Sequence, residues 1–137
     1  MKETQELALP DVLFHVTSQV AAVNIGLHGL PPDTAWVRSD IAAYHAQLLS
    51  QAGHAPLVLS LPIDELGKHG AEPDWLSLQS PPAEVLEIHV ETLNRRWTEG
   101  PPTWQRSVAL VGSLRCPQPF PPNFLKAHLP ARLFQPR

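Results

Sequence analysis

Apolar and polar residues alternate through VLFHVT, residues 12 to 17. The pattern predicts a strand with His15 and Thr17 on one face and Phe14 and Val16 on the other. Ser18 then suits an N-cap, and Val20, Val23 and Leu27 follow at near-helical spacing. Gly29 fits a C-terminal cap, Leu30 packs back, and Pro31 and Pro32 stop the helix. The same grammar repeats once. AWV (35 to 37) predicts a short strand and Ser39 a second N-cap, and IAAYHAQLLSQ predicts a helix burying Ile41, Leu48, Ala42 and His45 until Gly53. LVLSLPI (57 to 63), bounded by Pro56 and Asp64, reads as a buried strand.

The second half is punctuated differently. Gly67, Gly70, Pro73, Pro81 and Pro82 predict a long irregular connection around a small strand WLSL, and long connections in compact domains are often functional. EVLEIHVETL alternates, with Leu86, Ile88 and Val90 set inward and Glu87, His89 and Glu91 outward, and SVALVGSL (107 to 114) reads as a last buried strand. From Pro117 the chain is proline-rich with isolated Phe and Leu, which predicts an extended tail that wraps the domain or meets a protein partner. The expected organisation is a domain over 1–116 and a tail over 117–137.

A chain of 137 residues, 43% hydrophobic, suits one domain with one core. The formal charge of -3 argues against a broad basic surface held on nucleic acid, while leaving room for a local patch around Arg95, Arg96 and Arg106. Cys116 stands alone, so no intramolecular disulfide and no cysteine-based zinc site is expected, and a reducing compartment fits. No signal-like segment and no run of 18 apolar residues occurs, so the expectation is a cytoplasmic protein without a membrane span.

Most familiar motifs are missing. The seven histidines include no H-x-H or H-x3-H pair, so no metal site is expected. G-x-G-x-x-G, G-x4-G-K-[ST] and G-x-S-x-G are all absent, which leaves Ser39, Ser50 and Ser60 without a claim as nucleophiles.

An ordered constellation remains. LFHVTS followed by a short helix ending in GL, then WVRSDIAAYHA, then LVLSLPI, resembles the ADP-ribosyltransferase family over roughly residues 12 to 92. That family shows H-x-[ST] on its first strand, [YW]-[LIV]-x-[ST] leading into a helix with A-x-Y, and an acid near a later strand. The resemblance implies an α+β fold with a split β-sheet core, short helices mainly in the N-terminal half, and NAD as substrate in a cleft between the sheets. It implies NAD-binding roles for His15, Val16, Thr17, Trp36, Ser39 and Tyr44. Tyr44 would lie over the cationic nicotinamide, and His15 would hydrogen-bond a ribose hydroxyl assisted by Thr17. Read without the family pattern, Tyr44 also suits a half-buried helix position and Trp36 a core residue.

A carboxylate gripping the ribose would complete the catalytic set of His15 and Tyr44, because the ribose becomes oxocarbenium-like as nicotinamide leaves. EPDWLSLQSPPAEVLEI matches the family's E-[FW]-L segment, with its following proline pair and strand, if Asp74 stands for the glutamate. Glu84 and Glu72 are the alternatives, and a turn-capping Asp74 is the structural one. The implied activity is transfer of ADP-ribose from NAD to a macromolecular acceptor, protein or nucleic acid, as in toxins of the family. The competing readings are an RNA 2'-phosphotransferase-like enzyme and an inactive module binding a nucleotide or a protein partner.

Overall fold

The structure, a computed structural model, describes residues 9–81, 86, 88–120 and 126–128. β1 (Val12–Ser18) leads into α1 (Gln19–His28), capped by the Ser18 hydroxyl, which accepts from the Ala21 N–H at 3.0 Å. Gly29 closes that helix with φ 80°, its N–H donating to the Ile25 carbonyl at 2.7 Å. β2 (Thr34–Val37), α2 (Ser39–Gln51) and β3 (Pro56–Pro62) follow as the pattern predicts. The chain then runs through α3 (Ile63–Lys68), β4 (Glu72–Pro73), α4 (Trp75–Gln79), α5 (Val90–Thr98), α6 (Trp104–Val111), β5 (Ser113–Cys116) and β6 (Lys126–His128).

The fold is α+β. The strands form a six-stranded sheet in the order β4-β5-β2-β1-β3-β6, antiparallel at each pairing. Among the described residues there is therefore one sheet where a split pair was expected. Its ladders are nonetheless uneven. β1 pairs with β3 from Val12↔Pro62 to Ser18↔Pro56, and β2 with β5 from Thr34↔Cys116 to Val37↔Ser113, whereas β1 meets β2 only at Phe14↔Val37. A seam thus runs between the second and first strands.

Period-two alternation sorts the core. Leu13, Trp36, Leu59, Leu61, Leu114 and Cys116 lie on one face, where Ile25 of α1, Leu66 of α3, Val108 of α6 and Phe120 cover them. Phe14, Val16 and Val37 lie on the other, against Ile41 and Ala42 of α2. A third cluster of Leu78, Leu86, Leu93 and Val111 ties α4, α5 and α6 together. No helix among the described residues is long and apolar enough to cross a membrane.

Five expectations are corrected. WLSL is helical, because Asp74 caps it: the carboxylate accepts from the Ser77 N–H. Residues 90 to 93 belong to α5, since Leu93 and Trp97 extend a spacing of three and four from Leu86 and Val90 that outweighs the short alternation. Residues 84, 85 and 87 of that stretch lie outside the described residues. SVALVGSL is the end of a helix and the start of a strand, because Thr103 caps α6 and Gly112 ends it with φ 76°. Helices are therefore not concentrated in the first half. Leu48 of α2, expected inside, faces solvent and Ala46 is buried instead; on α1 the spaced residues Val20, Val23 and Leu27 are exposed and Ile25 is the buried one.

The tail expectation meets the described residues at two places. Phe120 is buried, bridged to Leu30 through both backbone N–H groups and stacked on His69 at 3.9 Å, and β6 adds a strand beside β3.

Gly112 joins α6 to β5 where the chain cannot carry a side chain: φ is 76°, and a Cβ would lie 2.7 Å from Ile41 Cδ1 and 2.9 Å from Arg38 Cδ. Gly112→Ala should therefore cost about 1–3 kcal/mol of stability, read as a lower urea midpoint. An unchanged midpoint would show that this junction relaxes freely.

Candidate functional site

Where β1 and β2 part, a side chain replaces a backbone bond. His15 Nδ1 lies 3.0 Å from the Ala35 carbonyl, so Nδ1 carries the proton and donates. The neutral ring then holds its lone pair at Nε2, which has no hydrogen-bond partner among the described residues. Burial is the main force lowering the His15 pKa from 6.5; the Ala35 bond opposes it and the nearby His45 adds to it. His15 is thus an acceptor at neutral pH, fixed in one tautomer. Its ring sits 5.8 Å from that of Trp36, whose other neighbour is Phe120 at 5.5 Å. Trp36 is fully buried, and its indole N–H has no hydrogen-bond partner among the described residues.

The other implied NAD residues surround this seam unequally. Thr17 shares the His15 face of β1 and is half-buried. The Val16 side chain packs with Phe14 against α2, which leaves only its backbone for a ligand. Ser39 is the exposed first residue of α2, and the cap position belongs to Arg38; Asp40 does the capping, accepting from Ile41 N–H at 2.9 Å while paired to Arg38 at 2.6 Å. Tyr44 is half-buried on α2, its ring 6.3 Å from His45. No hydrogen bond or ring contact joins Tyr44 to His15 among the described residues. The structure links His15 directly to Trp36.

The carboxylates lie elsewhere. Asp74 follows β4, three strands from β1, a lateral separation of roughly 14 Å at normal strand spacing. It is 2% exposed, and its oxygens are already engaged. Ser113 Oγ donates to Oδ2 at 2.7 Å and Ser77 Oγ at 2.9 Å, and Arg115 reaches Oδ1 at 3.5 Å. Ser107 completes the knot: its hydroxyl accepts from the Asp74 N–H at 2.9 Å and donates to the Ser113 carbonyl at 2.8 Å. Arg115 also grips Asp33 at 3.0 Å; burial pulls its pKa down, but the Asp33 bond and the charges of Asp74 and Asp33 win, and the net shift is upward. Glu72 is exposed on β4, opposite Arg115. Glu84 lies outside the described residues.

The sequence singled out Asp74 but not the serines and arginine that occupy it. Ser107 and Ser113 come from a stretch read as a single strand, so their convergence on residue 74 was hidden. Comparisons with protein-family models, curated proteins and solved structures find no match to the chain.

Two outcomes follow from this geometry. Asp74→Asn leaves a buried cluster of donors short of an acceptor and Arg115 without its inner partner, and should cost about 2–4 kcal/mol in urea unfolding. A loss under 1 kcal/mol would mean that the knot is dispensable. For His15, the unfolded chain binds the proton at about pH 6.5 while the folded state resists it. Its contribution to stability is complete above that pH and is lost as the pH falls toward the folded value. Thermal melts between pH 7.5 and 5 should show this decline in the parent and a shallower one in His15→Gln. Parallel slopes would assign the acid sensitivity to other groups.

Proposed function

We propose that the chain is an NAD-binding domain of ADP-ribosyltransferase type, acting in transfer of ADP-ribose to a macromolecular acceptor. The observation that carries this reading is His15: a neutral, half-buried imidazole on the first strand, with its tautomer set by Ala35 and its acceptor nitrogen without a partner among the described residues. A ribose hydroxyl is a donor, so the unshared lone pair has the polarity needed to orient it. Tyr44, on the helix after the second strand, supplies the electron-rich ring for the nicotinamide. Bond cleavage in such a reaction uses the cationic leaving group of NAD itself, so the protein's part is positioning and charge stabilisation.

Asp74 is not the ribose-gripping acid in this reading, because its oxygens hold α4 and β5 in place while its backbone N–H is bonded to Ser107 of α6. The role falls to Glu84, or to the exposed Glu72. The same occupation of Asp74 favours a second reading: a module that binds NAD or a related nucleotide without turning it over. The phosphotransferase alternative draws less support, since Arg38, Arg106 and Arg115 are each engaged within the fold.

Calorimetry with NAD tests the binding claim, and incubation with labelled NAD plus mixed protein, DNA and RNA acceptors tests transfer. His15→Ala and Tyr44→Ala should each weaken NAD binding by about tenfold, with Tyr44→Phe milder. Label transfer abolished by Glu84→Gln supports the transferase. NAD binding without transfer selects the module, and an isotherm with no heat of NAD binding removes both readings.

A further inference from the structure

Arg106 closes the C-terminal end of α5. Its guanidinium donates to the carbonyls of Trp97 at 3.0 Å and Pro101 at 2.9 Å, and to that of Arg96, and lies 5.2 Å from the centre of the Trp97 ring. Trp97 in turn meets Trp75 edge to face, at 5.7 Å and 87°. Trp75, the first residue of α4, is thereby braced while staying 45% exposed, next to Leu76 at 62%. Full burial of Trp36 shows how differently this fold treats an indole it uses for packing. Arg95 and Arg96, which directly precede Trp97 in the last turn of α5, are exposed and have no ion-pair partner among the described residues.

We propose that Trp75 and the last turn of α5 form a binding site for single-stranded nucleic acid. An indole braced by a perpendicular neighbour and still nearly half exposed offers a platform on which an unpaired base can stack, whatever its identity. Arg95 and Arg96 supply mobile positive charge for the phosphates, with Arg106 fixed behind them. A purely apolar partner would leave those two guanidiniums unpaired at its rim, whereas a polyanion uses both features. Glu91 and Glu99 share the helix, and the chain as a whole carries a formal charge of -3, so attraction is short-ranged and few phosphates are engaged. A duplex hides its base faces and fits the site poorly. The inference stands apart from the NAD reading, because binding is measured without NAD.

The test titrates the full chain into a fluorescein-labelled oligothymidylate of about ten nucleotides at low salt, following anisotropy and tryptophan quenching together. The expected result is saturable binding with a log-log salt slope of about -1 to -2, as two arginines require. Trp75→Ala should weaken binding by about tenfold or more, Trp75→Phe less, and Arg95→Gln with Arg96→Gln should flatten the slope. Melting curves confirm that each variant is folded. No binding at low salt overturns the proposal. So does binding that ignores Trp75, which would be charge attraction alone, and so does equal affinity for a duplex of the same length.

Discussion

The central strand of this protein is held on its two sides by different chemistry. Toward β3, β1 is secured by an unbroken antiparallel ladder; toward β2 it has one residue pair and the imidazole of His15, bonded to the Ala35 carbonyl. A side chain thus does what backbone amides do elsewhere in the sheet. The substitution has two consequences. It ties the two halves of the sheet together at a point where they would otherwise separate, and it holds a titratable ring in surroundings that disfavour its charge. Because Nδ1 is committed to Ala35, the ring nitrogen left for other chemistry is an acceptor. The seam is therefore both the weakest join in the sheet and the place where its polar capacity is unspent.

The other end of the sheet shows the opposite economy. Asp74 is surrounded by donors from α4, β5 and Arg115, and Ser107 on α6 binds the same short segment through its backbone. The carboxylate fastens α4 to β5, and the backbone of the same residue holds α6. Arg115 extends the fastening to Asp33, a non-glycine residue at φ 63° whose carbonyl and carboxylate it holds. Aspartate tolerates the left-handed region better than most residues, and the double bond to Arg115 fixes that turn. A group so fully satisfied is a structural element, since engaging a substrate would require releasing what it holds.

The first half of the fold was legible because each of its signals agreed. Ser18 and Gly29 bracket α1, and alternation over residues 12 to 17 fits a strand with different surroundings on its two faces. The second half was misread where two periods compete. Leu86, Ile88 and Val90 alternate, yet Val90, Leu93 and Trp97 repeat at helical spacing, and the longer pattern decides the structure at 90 to 98. Thr103 and Gly112 mark the ends of α6 by ordinary capping rules, but the apolar run between them resembles a buried strand. Apolar spacing does not track burial in α1: Val20, Val23 and Leu27 share a stripe that nothing in the described structure covers, and Ile25 anchors the helix. Of the site, His15 was legible from its strand position. Its bond to Ala35 was not, because that depends on a tertiary register no local pattern encodes. The capping role of Asp74 before Trp75 was legible, but its buried partners on α6 and β5, lying 33 to 41 residues away, were hidden for the same reason.

What the buried groups do narrows the chemistry that remains. Burial, with a smaller contribution from Glu72, pushes the Cys116 thiol up to about 12, so at neutral pH it is not a thiolate. The Ser107 and Ser113 hydroxyls are buried and donate to a carbonyl and a carboxylate inside the knot. None of these can attack a substrate without dismantling the region it belongs to. Among the described residues, groups with unspent capacity include His15 at the seam, Tyr44 on α2, and Trp75, Arg95 and Arg96 on α4 and α5. Such groups can bind and orient a ligand without releasing anything the fold depends on. On the NAD reading proposed above, these groups position a substrate whose own glycosidic bond is the labile one, and the protein's part is to select the conformation in which that bond breaks.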